Sequence, residues 1–300
     1  MKYINYNGTR ISKLSLGTVQ FGLDYGIANL CGQPKQEEVN TIIEYATNNG
    51  INCFDTAQAY GNSEYVLGKA LENKDEKFVI SKLKSDCFKK NVFENISISL
   101  NNLKIESLFA LLLHDCKLLY EWDNKNSMIV DELISSGKIK YFGVSIYSSE
   151  DFEFALKNEK IKVIQMPFNL FDQRAYKKNW FEKSRQNNKL IIIRSVYLQG
   201  LLLMDNDRLP SNLVSAKKYF DTIDSFTNEL KITRNKLALG FVESIAGNSL
   251  ILFGCDNIKQ ATENIKCYNS LKLFNYKIMS EILEEFNDID ETIYNPTKWS

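Results

Sequence analysis

The chain has 300 residues, 44% hydrophobic and 25% charged, which fits a globular protein with a large core and excludes a disordered chain. Lys and Arg number 37, as do Asp and Glu, so no overall electrostatic pull toward nucleic acid or an anionic membrane is expected. Only 14 Gly and 4 Pro exclude collagen-like and linker-rich designs.

The first predicted element is a hairpin. Tyr3–Tyr6 and Thr9–Ser12 are short β-prone runs joined by Asn7-Gly8, the strongest short hairpin signal. Leu14–Gly17 then reads as a strand. Glu37–Asn49 reads as a helix, with Val39, Ile42, Ile43 and Ala46 on one face and Gly50 as its stop. Strand Ile51–Asp55 precedes helix Ser63–Leu71, and strand Phe78–Lys82 precedes a helix between Val92 and Leu103. The alternation continues with strand Ser107–His114, helix Met128–Ser136, strand Tyr141–Ser145 and helix Ser149–Lys157. Strand Val163–Pro167, helix Lys177–Asn188 and strand Leu190–Ser195 follow. Helices fall within Leu213–Leu230 and Asn235–Ala246. Strand Leu250–Phe253 is followed by a helix from Ile258 to about Asn269. The polar tail Asp288–Ser300 either covers the barrel or lies on the surface.

From Leu14 onward there are eight strands, each followed by helical sequence. That order predicts right-handed βαβ units and a parallel sheet. The runs FVISK, LFALLLH and LIIIRS are apolar nearly throughout, as in strands covered on both faces. Eight such units predict an α/β fold, a (β/α)₈ TIM barrel with an N-terminal β-hairpin. An open doubly wound sheet is the alternative, weakened because no G-x-G-x-x-G follows the first strand. With no internal linker, residues 1–300 read as one domain.

Cys31, Cys53, Cys87, Cys116, Cys255 and Cys267 form no C-x-x-C, and there is one histidine, so no metal site is expected. Scattered thiols fit a reducing compartment. Met1–Leu14 has no apolar signal core, and no run of about 18 apolar residues occurs. The cytoplasm is the expected location, with no membrane or nucleic-acid partner. The sequence does not give the oligomeric state.

In such a barrel the chemistry sits at the C-terminal strand ends. The second strand ends in Asp55, the third in Lys82 and the fourth in His114; the fifth ends in Ser145 and the sixth carries Gln165. Ionisable groups ending three successive buried strands must converge and pair. Tyr60, just beyond the second strand, reaches the same volume. An ammonium about 4 Å from a phenol, at an effective dielectric of about 20, favours the phenolate by up to roughly 4 kcal/mol. Asp55 would hold that ammonium charged, and a neutral His114 could orient a carbonyl oxygen. The four groups together could protonate an oxygen that gains negative charge as hydride reaches the adjacent carbon. Taken singly, each has a plainer reading: a core histidine, a lysine reaching to solvent, a turn-capping aspartate, a packed tyrosine.

Several segments carry a family resemblance. Gly17-Thr18, CFDTAQAYGNSE, the ISK of the third strand, LLLHD, GKIKYFGVS, IQMPFN and LQGLLL resemble, in order, the aldo/keto reductases. The resemblance covers essentially the whole chain. It implies a (β/α)₈ barrel and metal-free, NAD(P)H-dependent reduction of a small carbonyl substrate. Asp55, Tyr60, Lys82 and His114 match the family's catalytic tetrad. Thr18 and Gln20 match the region of the nicotinamide ribose, Asp55 is also a cofactor-binding candidate, and Ser145 and Gln165 match the residues that bond the carboxamide. Ile146 stands where the family commonly has Asn. Arg194 replaces the stacking aromatic, which implies a preference for the reduced cofactor or a contact with an anionic substrate group. Ser195, Leu198 and Gly200 would line the pyrophosphate. Gly254, Asn257, Gln260, Glu263 and Asn264 match the adenosine half. NADP(H) follows from the resemblance. Asp256 and Gln260, where many relatives have a base, leave NAD(H) open, with Lys259 the nearby cation. The RSVYLQGLL segment resembles a bacterial branch associated with unusual sugars, so a sugar-like carbonyl is one candidate substrate. Two other functions fit a barrel with these residues. One is an aldolase or isomerase with Lys82 as Schiff-base nucleophile; the other is a non-catalytic nicotinamide-binding redox sensor.

Overall fold

A computed structural model describes residues 1–74 and 76–299. Strands β1 (Tyr3–Tyr6) and β2 (Thr9–Ser12) pair antiparallel. Asn7 and Gly8 both have positive φ, as the tightest hairpin turn requires. Eight parallel strands then close into a barrel: β3 (Leu14–Gly17), β4 (Cys53–Asp55), β5 (Phe78–Leu83), β6 (Leu108–Leu113), β7 (Ile139–Ser145), β8 (Val163–Pro167), β9 (Leu190–Arg194) and β10 (Leu250–Phe253). β10 pairs with β3 to complete the circle. The fold is the expected (β/α)₈ barrel, and the hairpin closes its N-terminal end. There Tyr6 Oη donates to the carbonyls of Lys162 and Asn188, next to the starts of β8 and β9.

Alternation divides each strand between two cores. Cys53, Ile80, Ala110, Leu112, Val163, Ile192 and Leu252 pack inside the barrel with Ile4 and Ile11 of the hairpin. Phe54, Val79, Leu111, Val144, Ile164 and Ile193 pack outward against the helices. Inward parity therefore runs on to Asp55, Lys82, His114, Ser145, Gln165 and Arg194 at the C-terminal ends.

Several boundaries differ from the sequence reading for local reasons. β4 starts at Cys53 rather than Ile51, because Asn52 is bonded to the hairpin: its Oδ1 accepts from Ser12 N, and its N–H donates to Ser12 Oγ. β9 ends at Arg194 because Ser195 is left-handed, φ 61°. The helix expected from Val92 begins at Ser85, with a non-helical break at Asn91 (φ −143°, ψ 51°). The helix expected over Lys177–Asn188 is two short ones, Arg174–Lys177 and Trp180–Gln186, separated by left-handed Asn179. Helix Tyr276–Glu285 was not anticipated. It and the tail pack against the loop after β8: Phe171 meets Phe286, Gln173 Nε2 donates to Ile282 O, and Ile289 and Ile293 are buried. Ser300 lies outside the described residues. Among those residues, no helix is long and apolar enough to cross a membrane.

Candidate active site

A cavity of about 670 Å³ opens at the C-terminal end of the barrel. At its floor, Lys82 Nζ donates to Asp55 Oδ1 at 2.5 Å and to Thr56 O at 2.8 Å. Asp55 Oδ2 accepts from Gln165 Nε2 at 2.7 Å, and Ser145 Oγ donates to Gln165 Oε1 at 3.4 Å. Lys82 is 1% exposed, so it acts on the cavity by its field rather than by direct contact. Its ammonium lies 4.9 Å from the centre of the Tyr60 ring. The Tyr60 and His114 rings meet edge to face, centres 5.4 Å apart. The four residues expected to converge do so at one end of the barrel.

Tyr60 is held by backbone. Its N–H donates to Ala57 O, and its carbonyl accepts from Ser63 N. Beneath it the Thr18, Thr56 and Ser63 hydroxyls form one hydrogen-bonded knot. The Tyr60 loop crosses the loop after β3 so closely that a Cβ on Gly22 would sit 1.8 Å from Tyr60 O, and one on Gly61 2.2 Å from Gly22 O. Only glycine fits at either position.

Electrostatics separate the two basic groups. Burial alone would lower the Lys82 pKa. The Asp55 carboxylate and Tyr60 outweigh burial and raise it, so the ammonium stays charged. His114 moves the other way. Burial, with Lys82 and Arg194 nearby, lowers its pKa from 6.5 to about 4, and its buried Nδ1 has no hydrogen-bond partner. The ring is therefore neutral at ordinary pH. Between pH 6.5 and 4 the unfolded chain takes up this proton and the folded chain does not. Stability should thus fall as the pH is lowered from 6.5 to 4, by on the order of 3 kcal/mol in all. His114 is the only histidine, so one imidazole signal reports it. An NMR titration should give a midpoint near 4; a midpoint near 6.5 would mean the ring is solvated.

Thr18, Gln20, Ser145, Gln165, Arg194, Ser195 and Gly200 border the cavity, as do Gly254, Gln260, Glu263 and Asn264. Two expected residues do not. Leu198 is fully buried in the outer core. Asn257 caps the helix Ile258–Asn269, its Oδ1 accepting from Gln260 N. Lys259 does not border the cavity either. The Arg194 guanidinium lies 4.0 Å over the Tyr147 ring and donates to Ile146 O and Ser195 Oγ. The Ile146 carbonyl thus has a partner although its side chain has no polar group to offer.

Of the loops that the sequence offers to shape the substrate end, those after Ser81–Lys84 and Asp115–Asn126 do not border the cavity, Gly200–Pro210 does, and the facing half of the cover was missed. Tyr25–Leu30, from the loop after β3, and Leu203–Asp205 with Arg208, from the loop after β9, border the cavity with Tyr147 and Asn235. The two loops touch where a Cβ on Gly200 (φ 89°) would meet Ala28 Cβ at 2.4 Å. A left-handed glycine after LQ was the visible signal; its partner came from a segment without a motif.

A sequence model of the aldo/keto reductase family matches residues 13–284, and the chain belongs to that family of oxidoreductases. A relative in Bacillus subtilis (strain 168), the uncharacterized oxidoreductase YqkF, is 23% identical over 287 residues, 87% of this chain and 92% of its own. An aldo-keto reductase from Bacillus halodurans, in its holo form, superposes with a TM-score of 0.78 at 17% identity, covering 99% and 98% of the two chains. One from Klebsiella pneumoniae, solved in complex with NADPH, gives 0.73 at 18%, covering 95% and 96%. At these identities the structures share the fold.

Proposed function

We propose that the protein is an NAD(P)H-dependent carbonyl reductase with Tyr60 as proton donor. The observation that carries this reading is the buried hydrogen-bonded run Gln165–Asp55–Lys82 ending beside Tyr60 and His114 at the floor of the cavity. The cavity also fits a dinucleotide. Its volume lies in the range of cofactor sites. Gln20 Oε1 is buried there without a partner. Gly254 forms a cradle beside it, where a Cβ would sit 2.7 Å from Gln20 Nε2. The Klebsiella relative holds NADPH.

Ser145 and Gln165 would hold the carboxamide, Ser195 and Gly200 the pyrophosphate, and Gly254, Gln260, Glu263 and Asn264 the adenosine half. The reduced nicotinamide supplies a hydride when bound. Tyr60 gives its phenolic proton to the carbonyl oxygen as negative charge develops there. Lys82 faces the charge left on the phenolate, and Asp55 keeps the ammonium in place. Neutral His114 orients the carbonyl without competing as an acid. An aldolase role for Lys82 is disfavoured, because a Schiff base needs a neutral amine and Asp55 holds this one charged.

The substrate is a small aldehyde or ketone, with a sugar-like carbonyl as one candidate. The test is an absorbance screen of NADH and NADPH oxidation against aldehydes, ketones and aldoses. Turnover supports the reading. Tight cofactor binding without oxidation of any carbonyl would point instead to a redox sensor, and borohydride trapping on Lys82 to the aldolase. Arg194→Tyr should weaken discrimination between reduced and oxidised cofactor, or raise KM for carboxylated carbonyls. Titrations and kinetics unchanged by it would remove both roles.

A further inference from the structure

One end of the cavity holds Asp55, Tyr60 and His114. On the reading proposed above, the adenosine half of a dinucleotide would lie toward the residues after β10. That far end is acidic. Asp256 and Glu263 border it, and Asp24 acts on Asp256 from the loop after β3. Among the described residues bordering the cavity, the Lys and Arg side chains are Arg194 and Arg208. Arg194 is committed to Tyr147 and Ile146. Arg208 Nε lies 3.8 Å from Asp205 Oδ2.

A phosphate could instead be drawn to the N-terminus of helix Ile258–Asn269. Here two of those donors are taken. Ile258 N donates to Glu38 Oε1 at 2.7 Å, and Gln260 N to Asn257 Oδ1 at 3.0 Å. The helix start already has a carboxylate as its anion.

Asp256 is set to accept rather than repel a neutral partner. Gln260 fixes it from both sides: Asp256 N donates to Gln260 Oε1 at 2.9 Å, and Gln260 Nε2 donates to Asp256 Oδ2 at 3.0 Å. Among the described residues, none donates to Oδ1. A fixed carboxylate with a vacant oxygen suits a ribose hydroxyl and opposes a phosphate dianion.

We propose that Asp256 makes the site select a nicotinamide dinucleotide with a free 2′-hydroxyl, NADH, over one carrying a 2′-phosphate. The proposal rests on the dinucleotide reading above, and the test separates the two. Binding of NADH and NADPH is titrated by fluorescence on the wild-type protein, D256N and D256S. ADP-ribose and its 2′-phosphorylated form are titrated in parallel by calorimetry. Wild type should bind NADH at least about tenfold more tightly, a difference of about 1.4 kcal/mol. Both variants should tighten NADPH and weaken NADH, closing the gap, and the ADP-ribose pair should follow. D256N keeps the shape and removes the charge, so it remains informative if D256S is poorly folded. NADPH bound as tightly as NADH by wild type, or a preference that neither variant changes, overturns the selection and leaves the dinucleotide reading standing. Binding of neither dinucleotide overturns both.

Discussion

Tyr60→Phe is expected to lower kcat by about 10²- to 10⁴-fold, the usual contribution of a placed general acid. The substitution removes one oxygen and little else. The phenyl ring keeps its edge-to-face contact with His114, and the loop stays fixed by Ala57, Ser63 and the Gly22–Gly61 crossing. Dissociation constants for the reduced cofactor should therefore stay within about twofold, since binding lost with rate would indicate a disturbed site. Single-turnover kinetics with a fluorescence titration make the separation. A variant retaining most of its turnover would show that the proton comes from another group.

Lys82→Met should do more damage to the fold. It leaves the Asp55 carboxylate, 4% exposed, with Gln165 as its side-chain donor and no cation. Removing one member of a buried pair costs about 3–5 kcal/mol, because the other charge is stranded. Denaturant unfolding should show that loss. Combining Lys82→Met with Asp55→Asn removes the stranded charge and should restore most of the stability. Turnover should stay low in the double variant, since the charge left on Tyr60 no longer faces an ammonium. Additive stability losses would mean that the two groups are not coupled as the 2.5 Å contact implies.

The barrel was legible because its strands are buried on both faces and stand out as apolar runs between amphipathic stretches. The site floor was legible through the residues that end the strands. Asp55, Lys82 and His114 end three successive apolar strands, which placed them at one rim; that they face inward, in step with Cys53, Ile80 and Leu112, came from the structure. What could not be read depends on long-range contact. Leu198 looks like a neighbour of Gly200 but faces the outer core, because left-handed residues at 198, 199 and 200 turn the chain between them. The Tyr25–Leu30 cover has no local pattern; it is placed by Gly200 and Gln199 across the cavity. Helix Tyr276–Glu285 did carry a signal in Ile278, Ile282 and Phe286 at four-residue spacing, behind Asn275 as its cap.

The hairpin seal separates two kinds of tolerance. Tyr6, Ile4 and Ile11 shut the base of the cylinder, while the cavity opens at the opposite mouth. Changes at the base alter melting temperature through the inner apolar column and leave substrate choice alone. Changes in the mouth loops re-cut specificity with little risk to the column. A tag joined ahead of Met1 therefore departs from the face remote from the cavity, so immobilisation through it leaves the entrance clear.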